Sequence, residues 1–417
     1  MLESKTKETT VPSINPQRLL GDLYALRKIG TYKTGVHRPT LSSDDVKARQ
    51  WLAQRIADAG LQPVIDGIAN VFGRSPAKGR KVLSGSHIES QNYAGWLDGA
   101  LGVIFALEAA RAIGEDRSMP DAGVDVIAFC DEEGHFGSFL GSRSFIGDVG
   151  EAEIDGARDR VHDRTMREAL AEAGYAGRPR LQFERGRYLG FFEAHIEQGR
   201  TLEAARRKIG VVTAIVGLWD YRIKVVGQQN HAGTTTMQER RDAGLTMVRL
   251  IAALDQQMKR NAGPRTVWTC GIMEFEPGAR SIIPGEARAN FQFRDTDLAL
   301  MEKLEQDLKE LCAQFDREGP CRVSVETVRQ SSPALMDEAL QKALDEAAER
   351  YAPGQWTRMP SGAGHDAQHL ARVMPAAMMF VPSIGGVSHH WTENTSDEDI
   401  VLGGQVFTDA IARVLRS

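Results

Sequence analysis

Two short apolar runs, residues 81–86 and 124–130, constrain the fold of this chain more than any other feature. Neither alternates strictly between apolar and polar side chains, so each predicts a strand buried on both faces. Between them, residues 102–112 have the composition of a helix. Strand, helix and strand in that order imply a parallel sheet, whose chemistry gathers at the carboxyl ends of its strands. His87 and the acidic run Asp131-Glu132-Glu133 stand just after two such ends.

The rest of the chain divides around that core. Residues up to about 15 are polar and expected to fray. Residues 16–60 carry helical spacing, with Leu19, Leu23 and Leu26, then Val46, Trp51, Leu52 and Ile56. The middle changes character. Residues 210–226 alternate and are rich in Val and Ile, which predicts a half-exposed antiparallel strand. A helix over 242–259, strands over 266–275 and 286–294, a helix over 297–315 and a strand over 322–328 follow. That β-α-β-β-α-β order is a split, ferredoxin-like sandwich. After Ser331-Ser332-Pro333 the α/β pattern returns, with a helix over 334–351, a strand over 376–381 and a helix over 400–415. The expectation is an α/β domain, with a mixed, largely parallel sheet, formed by 1–212 and 329–417. An inserted α+β domain at 213–328 interrupts it.

A chain of 417 residues exceeds one small domain. Its net charge of −5, with no dense block of Lys or Arg, excludes a nucleic-acid surface and leaves a small-molecule partner. Cys130, Cys270, Cys312 and Cys321 show no CxxC spacing, which argues against a thiolate zinc site or a disulfide framework and fits a reducing cytoplasm. The first residues lack the apolar core of a secretory signal, and no apolar run approaches the ~20 residues a bilayer needs. A cytoplasmic protein is expected.

The chemistry lies in a handful of His, Asp and Glu residues. His87 and Asp98 are both flanked by glycines, which let backbone come close to a bound ion. Glu132 and Glu133 follow a buried strand directly, and two adjacent carboxylates there need a cation or a proton. His195, in Glu193-Ala194-His195-Ile196-Glu197-Gln198-Gly199, and His389, in Gly386-Val387-Ser388-His389-His390, complete the set. Taken singly, a loop His is more often a surface residue than a ligand, and a Glu-Glu pair more often a solvated turn. Joint occurrence after buried strands overturns those readings. Nitrogen and oxygen donors without Cys suit Zn²⁺, with Mn²⁺, Co²⁺ or Ni²⁺ as alternatives.

The segments GSHIES, LDGALGV, CDEEGHFGSFLGSR, FFEAHIEQG, NHAGTTTMQERRDA, SIIPGEARANFQFR, SGAGHDA and VPSIGGVSHHWTENT, in this order, resemble the amidase, hydantoinase/carbamoylase family. This family of di-zinc hydrolases includes N-carbamoyl-L-amino-acid hydrolase, β-ureidopropionase and allantoate amidohydrolase. The resemblance spans nearly the whole chain, including the eleven-residue step from His87 to Asp98. It implies a di-zinc aminopeptidase-like catalytic domain with a lid and dimerisation domain. Asp98 would bridge two divalent ions, one held by His87 and His195, the other by Glu133 and His389. Glu132 would be the general base, taking a proton from an activated water and returning it to the leaving nitrogen. The resemblance further implies that His231, contributed by the other subunit of a homodimer, stabilises the oxyanion. Gln198 would bond the amide or ureido group, and Arg294 would pair with a substrate carboxylate.

Four departures stand out. Glu89 replaces the Asp that orients the imidazole two residues earlier, and is longer by a methylene. The stretch 92–97 brings Tyr93 and Trp96 where glycines are usual, placing aromatics at the pocket rim. Ser281 stands where ureido-acid relatives have Asn for the substrate carboxylate. The loop after Glu133 is shortened and reads His135-Phe136. The expected reaction is therefore hydrolysis of a linear C–N amide or ureido bond in a carboxylate-bearing substrate, foremost an N-carbamoyl-L-amino acid. An allantoate-type amidohydrolase and a dipeptidase or deacylase share the chemistry. A metal-binding scaffold without catalysis is the alternative from another class, opposed by the complete ligand set and Glu132. No Gly-x-Ser-x-Gly elbow supports a serine hydrolase.

Overall fold

The computed structural model describes residues 11–417. Its centre is the pair of strands Lys81–His87 and Gly123–Phe129, parallel and in register from Lys81 opposite Gly123 to His87 opposite Phe129. All of Gly123–Phe129 and all but Lys81 of its neighbour are buried, as non-alternating strands between two layers should be. Phe191–Ile196 adds on the far side of Lys81–His87, and Ala376–Val381 beyond it, both parallel. Antiparallel strands Val71–Arg74 and Gln62–Ile65 extend one edge, and Ile209–Ile215 the other. The sheet is mixed and largely parallel.

Helix Ala100–Glu115 is buried from Ala100 to Ile113 because it runs along this sheet. A Cβ on Gly102 would lie 2.2 Å from the Ala194 carbonyl oxygen, so a glycine is required for that approach. Helix Asp397–Arg416 packs against it and against helix Glu338–Tyr351. Phe407 joins the layers, its ring 6.0 Å from Phe105 and 6.2 Å from Phe192. Truncating such a buried ring costs about 3–5 kcal/mol.

The chain forms two compact units, one ending at Thr213 and resuming at Leu335, the other Ala214–Ala334. The second unit has a four-stranded antiparallel sheet in the order Val267–Glu276, Glu286–Asp295, Gly217–Val226, Arg322–Gln330. This is the ferredoxin-like order. Helices Ala243–Asn261 and Leu298–Glu318 cover one face, begun by Asp242 and Asp297, whose side chains accept from Leu245 N and Leu300 N. Met247, Leu250, Leu254 and Met258 on one helix and Met301, Leu304, Leu308 and Cys312 on the other meet Tyr221, Ile223, Val225, Phe291 and Phe293 of the sheet.

Several expectations need correction. The strand expected over 210–226 is two strands. Ile209–Ile215 belongs to the first sheet and Gly217–Val226 to the second, and only the latter alternates in burial. A continuous Val/Ile run does not reveal which sheet each half joins. The helical spacing over 16–60 breaks into Pro16–Arg27 and Ser43–Asp58, with a hairpin, Thr31–Tyr32 and Gly35–Val36, between them. The helix expected from 334 starts at Glu338, capped by Asp337, because Ala334–Leu335 pairs at the sheet edge. The second unit also extends past 328, since Ser331 stays tied to it by Leu218 N (2.9 Å) and Trp219 Nε1 (3.1 Å). The frayed stretch expected up to 15 lies mostly outside the described residues. Within them, Ile14 N donates to Gln405 and Asn15 N to Glu108, so this part is anchored. No helix among the described residues is long and apolar enough to cross a membrane.

Candidate metal centre

His87 is the last residue of its strand, and His195 is the penultimate residue of the adjacent strand Phe191–Ile196. Asp98 sits in the turn before helix Ala100–Glu115. Gly99 has φ +67°, and a Cβ there would fall 2.4 Å from the His87 ring, so only glycine lets the turn pass. Asp131, Gln198 and His389 all adopt positive φ, sparsely populated for such residues and concentrated at functional loops.

Two donor sets share Asp98. Its Oδ1 lies 3.0 Å from His195 Nε2 and 3.7 Å from His87 Nε2. Its Oδ2 lies 3.2 Å from His389 Nε2, which is 3.6 Å from Glu133 Oε2. Within each set, His87–Asp98–His195 and Asp98–Glu133–His389, the donor atoms lie within 4.8 Å of one another. Backbone carbonyls hold the rings by their far nitrogens: His87 Nδ1 donates to Glu89 O (3.2 Å) and His195 Nδ1 to Ile196 O (2.9 Å), so that Nε2 of each ring faces Asp98. Glu132 belongs to neither set, its Oε2 lying 3.5 Å from His87 Nε2.

The electrostatics fit a divalent cation. Burial favours a protonated Asp98, but hydrogen bonds from His195 and His389 and the charge of His195 and His87 outweigh it and hold Asp98 well below the usual carboxylate range. Burial, then Glu133 and other nearby acids, pushes Glu132 well above its ordinary value. Burial and Asp98 raise Glu133 to about 8. Burial opposes protonation of His195, yet the bond to Asp98 prevails and lifts it to about 9. The Asp98 bond lifts His389 likewise to about 9. Protons thus balance this crowd of acids, in places where metal ions would do so instead.

Further contacts hold the sets in place. Glu133 accepts from Gln91 N (3.1 Å) and Gln91 Nε2 (3.0 Å). Glu393, buried, accepts from Asp98 N (3.1 Å), Leu97 N (3.2 Å) and Ser388 Oγ (3.0 Å). Gln198 Nε2 donates to Asp98 Oδ2 and to Ser388 Oγ, both at 3.1 Å. Glu89 departs from its expected role. Its carbonyl bonds the His87 imidazole, while its carboxylate turns to the Glu132 backbone N–H (2.7 Å) and to Arg49 (2.6 Å). Trp96 is no rim residue, since it is buried and stacked on Tyr24 at 5.3 Å; Tyr93 is 49% exposed.

His231, Ser281 and Arg294 lie on the second unit. Asn230–His231 pairs with Ile282–Ile283, and Ala232 N donates to Ser281 O (3.0 Å), so His231 and Ser281 are neighbours. His231 Nδ1 accepts from Gly233 N (3.0 Å) and Thr234 N (3.1 Å), which leaves the ring hydrogen on Nε2 as a donor. Arg240 bonds the carbonyls of Ala232 and Thr235 and braces this loop. Arg294 lies on strand Glu286–Asp295, its Nε donating to Gln292 Oε1 (3.1 Å). Sequence reasoning missed the structural parts played by Gln91, Arg49 and Arg240. Only Arg240 carried a signal, its place in the NHAGTTTMQERRDA segment.

A model described as Peptidase family M20/M25/M40 matches residues 86–413. The chain is 32% identical over 386 residues to an allantoate amidohydrolase of Bacillus subtilis (strain 168), covering 91% of this chain and 93% of that protein. It is 30% identical over 403 residues to an N-carbamoyl-L-amino acid amidohydrolase of Geobacillus stearothermophilus, covering 94% and 97%. Among solved structures, an amidase of the hydantoinase/carbamoylase family from Burkholderia phymatum superposes with a TM-score of 0.91 at 45% identity, covering 98% and 99%. The chain belongs to the M20/M25/M40 family. Within it, the chain is an amidase of the hydantoinase/carbamoylase kind, a hydrolase acting on non-peptide C–N bonds.

Proposed function

We propose that this protein hydrolyses an N-carbamoyl-L-amino acid or a related N-acyl acid bearing a carboxylate, using two divalent ions per subunit, foremost Zn²⁺. The observation that carries the reading is Asp98 shared between two donor sets while Glu132 stands outside both. When bound, the ions supply Lewis acidity for a water and for the scissile carbonyl. Glu132 accepts the proton of the attacking water and delivers it to the leaving nitrogen. His231 offers its Nε2–H to the developing oxyanion. Gln198 exchanges its bond to Asp98 for one to the ureido group, and Arg294, with Ser281, receives the substrate carboxylate.

A homodimer in which His231 serves the partner subunit's site is part of this reading. Strand Val267–Glu276 ends its sheet, with Val267, Ile272, Met273 and Phe275 exposed along it and Leu245 and Val248 exposed on the covering helix. An open apolar edge of this kind suits pairing with a second copy. The four cysteines are unpaired, which supports a cytoplasmic setting. An allantoate-type activity is the second reading, favoured by the Bacillus subtilis relative.

Turnover of N-carbamoyl-L-amino acids and allantoate after loading with Zn²⁺, Mn²⁺, Co²⁺ or Ni²⁺ tests both readings. Ureido-bond cleavage that depends on metal and on Glu132 is expected. Turnover of simple dipeptides alone contradicts the proposal.

A further inference from the structure

The Glu132 carboxylate has His87 Nε2 at 3.5 Å, and its place beside that ring depends on the backbone that carries it. That backbone is gripped from two sides. Asp131, at φ +61°, folds its carboxylate over the loop and accepts from His135 N (2.8 Å) and Gly137 N (2.7 Å), with Phe136 N at 3.2 Å. Glu89 Oε1 accepts from Glu132 N itself at 2.7 Å.

Glu89 is in turn held from its other oxygen. Arg49 Nη2 donates to its Oε2 at 2.6 Å, and both side chains are fully buried. Arg49 Nε donates to Asp45 Oδ2 (2.8 Å) and its Nη1 to Ala69 O (2.8 Å). Asp45 also accepts from Leu41 N at 2.8 Å. Thus the first turns of helix Ser43–Asp58 are wired to the amide of Glu132. The backbone carbonyl of Glu89 meanwhile orients the His87 imidazole. One residue holds the His87 ring by its main chain and the residue beside Glu133 by its side chain. With the imidazole served by the carbonyl, the carboxylate on the longer stem is directed to the Glu132 amide and Arg49.

We infer that Glu89, locked by Arg49, is a positioning residue that sets where the Glu132 carboxylate stands relative to the His87 ring. The inference rests on Glu132 being the base, as proposed above. A planar guanidinium fork fixes Glu89 and Asp45 together in a way a lysine ammonium does not.

The test is a double-mutant cycle on the metal-loaded enzyme, with the fastest substrate of the panel above. Glu89→Asp and Arg49→Lys are each made in the wild type and in Glu132→Gln. Arg49→Lys keeps the buried positive charge, so it remains informative where Glu89→Asp fails to fold. In the wild type, each is expected to lower kcat about 10- to 100-fold, the range typical of outer contacts, with KM and metal content unchanged. In Glu132→Gln the same changes should cost less than about twofold, because no base remains to be misplaced. Equal losses in both backgrounds, an unchanged kcat in the wild type, or loss of metal in proportion to kcat would overturn the inference. If Glu132→Gln alone retains wild-type turnover, the base assignment fails instead, and the two failures are told apart by that single variant.

Discussion

The groups in the two units are held in opposite ways. In the first unit His87, Asp98, Glu133 and His195 are buried at strand ends and turns. Every imidazole and carboxylate among them is fixed by backbone, by Gln91 or by one another. In the second unit His231 and Ser281 are exposed, His231 on and Ser281 just before a ladder of two residues per strand. There, among the described residues, the His231 ring accepts from two backbone N–H groups of its own loop. The buried set is built to hold charge in one geometry, and it tolerates little change. On the proposed function the exposed set meets the substrate, and substitutions there should then alter rate or affinity without touching stability.

The sharpest way to break this contrast is Asp98→Ala. Both donor sets lose their common member, so metal binding and turnover should collapse together, turnover by more than about a thousandfold. Elemental analysis after dialysis reads the first and a substrate assay the second. His231→Ala should lower kcat by about a hundred- to a thousandfold, as loss of an oxyanion donor does, while metal content and melting temperature stay as in the wild type. Mixed with Glu132→Gln subunits, it should regain part of its activity if the proposed shared-site dimer forms, because one site of that heterodimer would have both groups intact. Arg294→Lys should act mainly on KM, raising it about tenfold or more, as a fork that pairs with carboxylate becomes a point charge.

A smaller effect concerns pH. His195 and His389, lifted to about 9, and Glu133, lifted to about 8, hold protons at neutral pH in the metal-free protein. Metal must displace those protons, so affinity should rise with pH and level off above about 9. A competition titration with a chelator between pH 6 and 9 should show at least about a tenfold gain per pH unit. The sign also bears on folding. A histidine raised in the folded state contributes stability that is full below about 6.5 and is lost as pH rises towards 9. The metal-free protein should therefore melt at lower temperature at pH 9 than at pH 6.5.

How far the sequence reads in advance differs between the units in the same sense. Strands at 81–87, 123–129 and 376–381 announce themselves because a strand buried on both faces carries apolar and small residues without strict alternation. The second unit's helices and strands keep clear periods of 3.6 and 2, because each buries a single face. Periodicity could not divide 209–226, since both halves are β-rich and only tertiary pairing separates them. Nor could it place Trp96 in the core, because a loop has no period. The contacts of Glu89 were invisible for another reason. Asp45 and Arg49 have the i, i+4 spacing of an ordinary surface pair, and only their complete burial marks them as a clamp. The distances among His87, Asp98, His195, Glu133 and His389 join residues from five segments, which no local pattern encodes.

Glu132 lies outside both donor sets and, on the proposed function, is nevertheless required for turnover. Metal content and kcat of Glu132→Gln, measured on the same preparation, test it most directly. The expected result is wild-type metal content with kcat reduced about a hundred- to ten-thousandfold. Loss of metal in this variant, or turnover close to wild type, would contradict it.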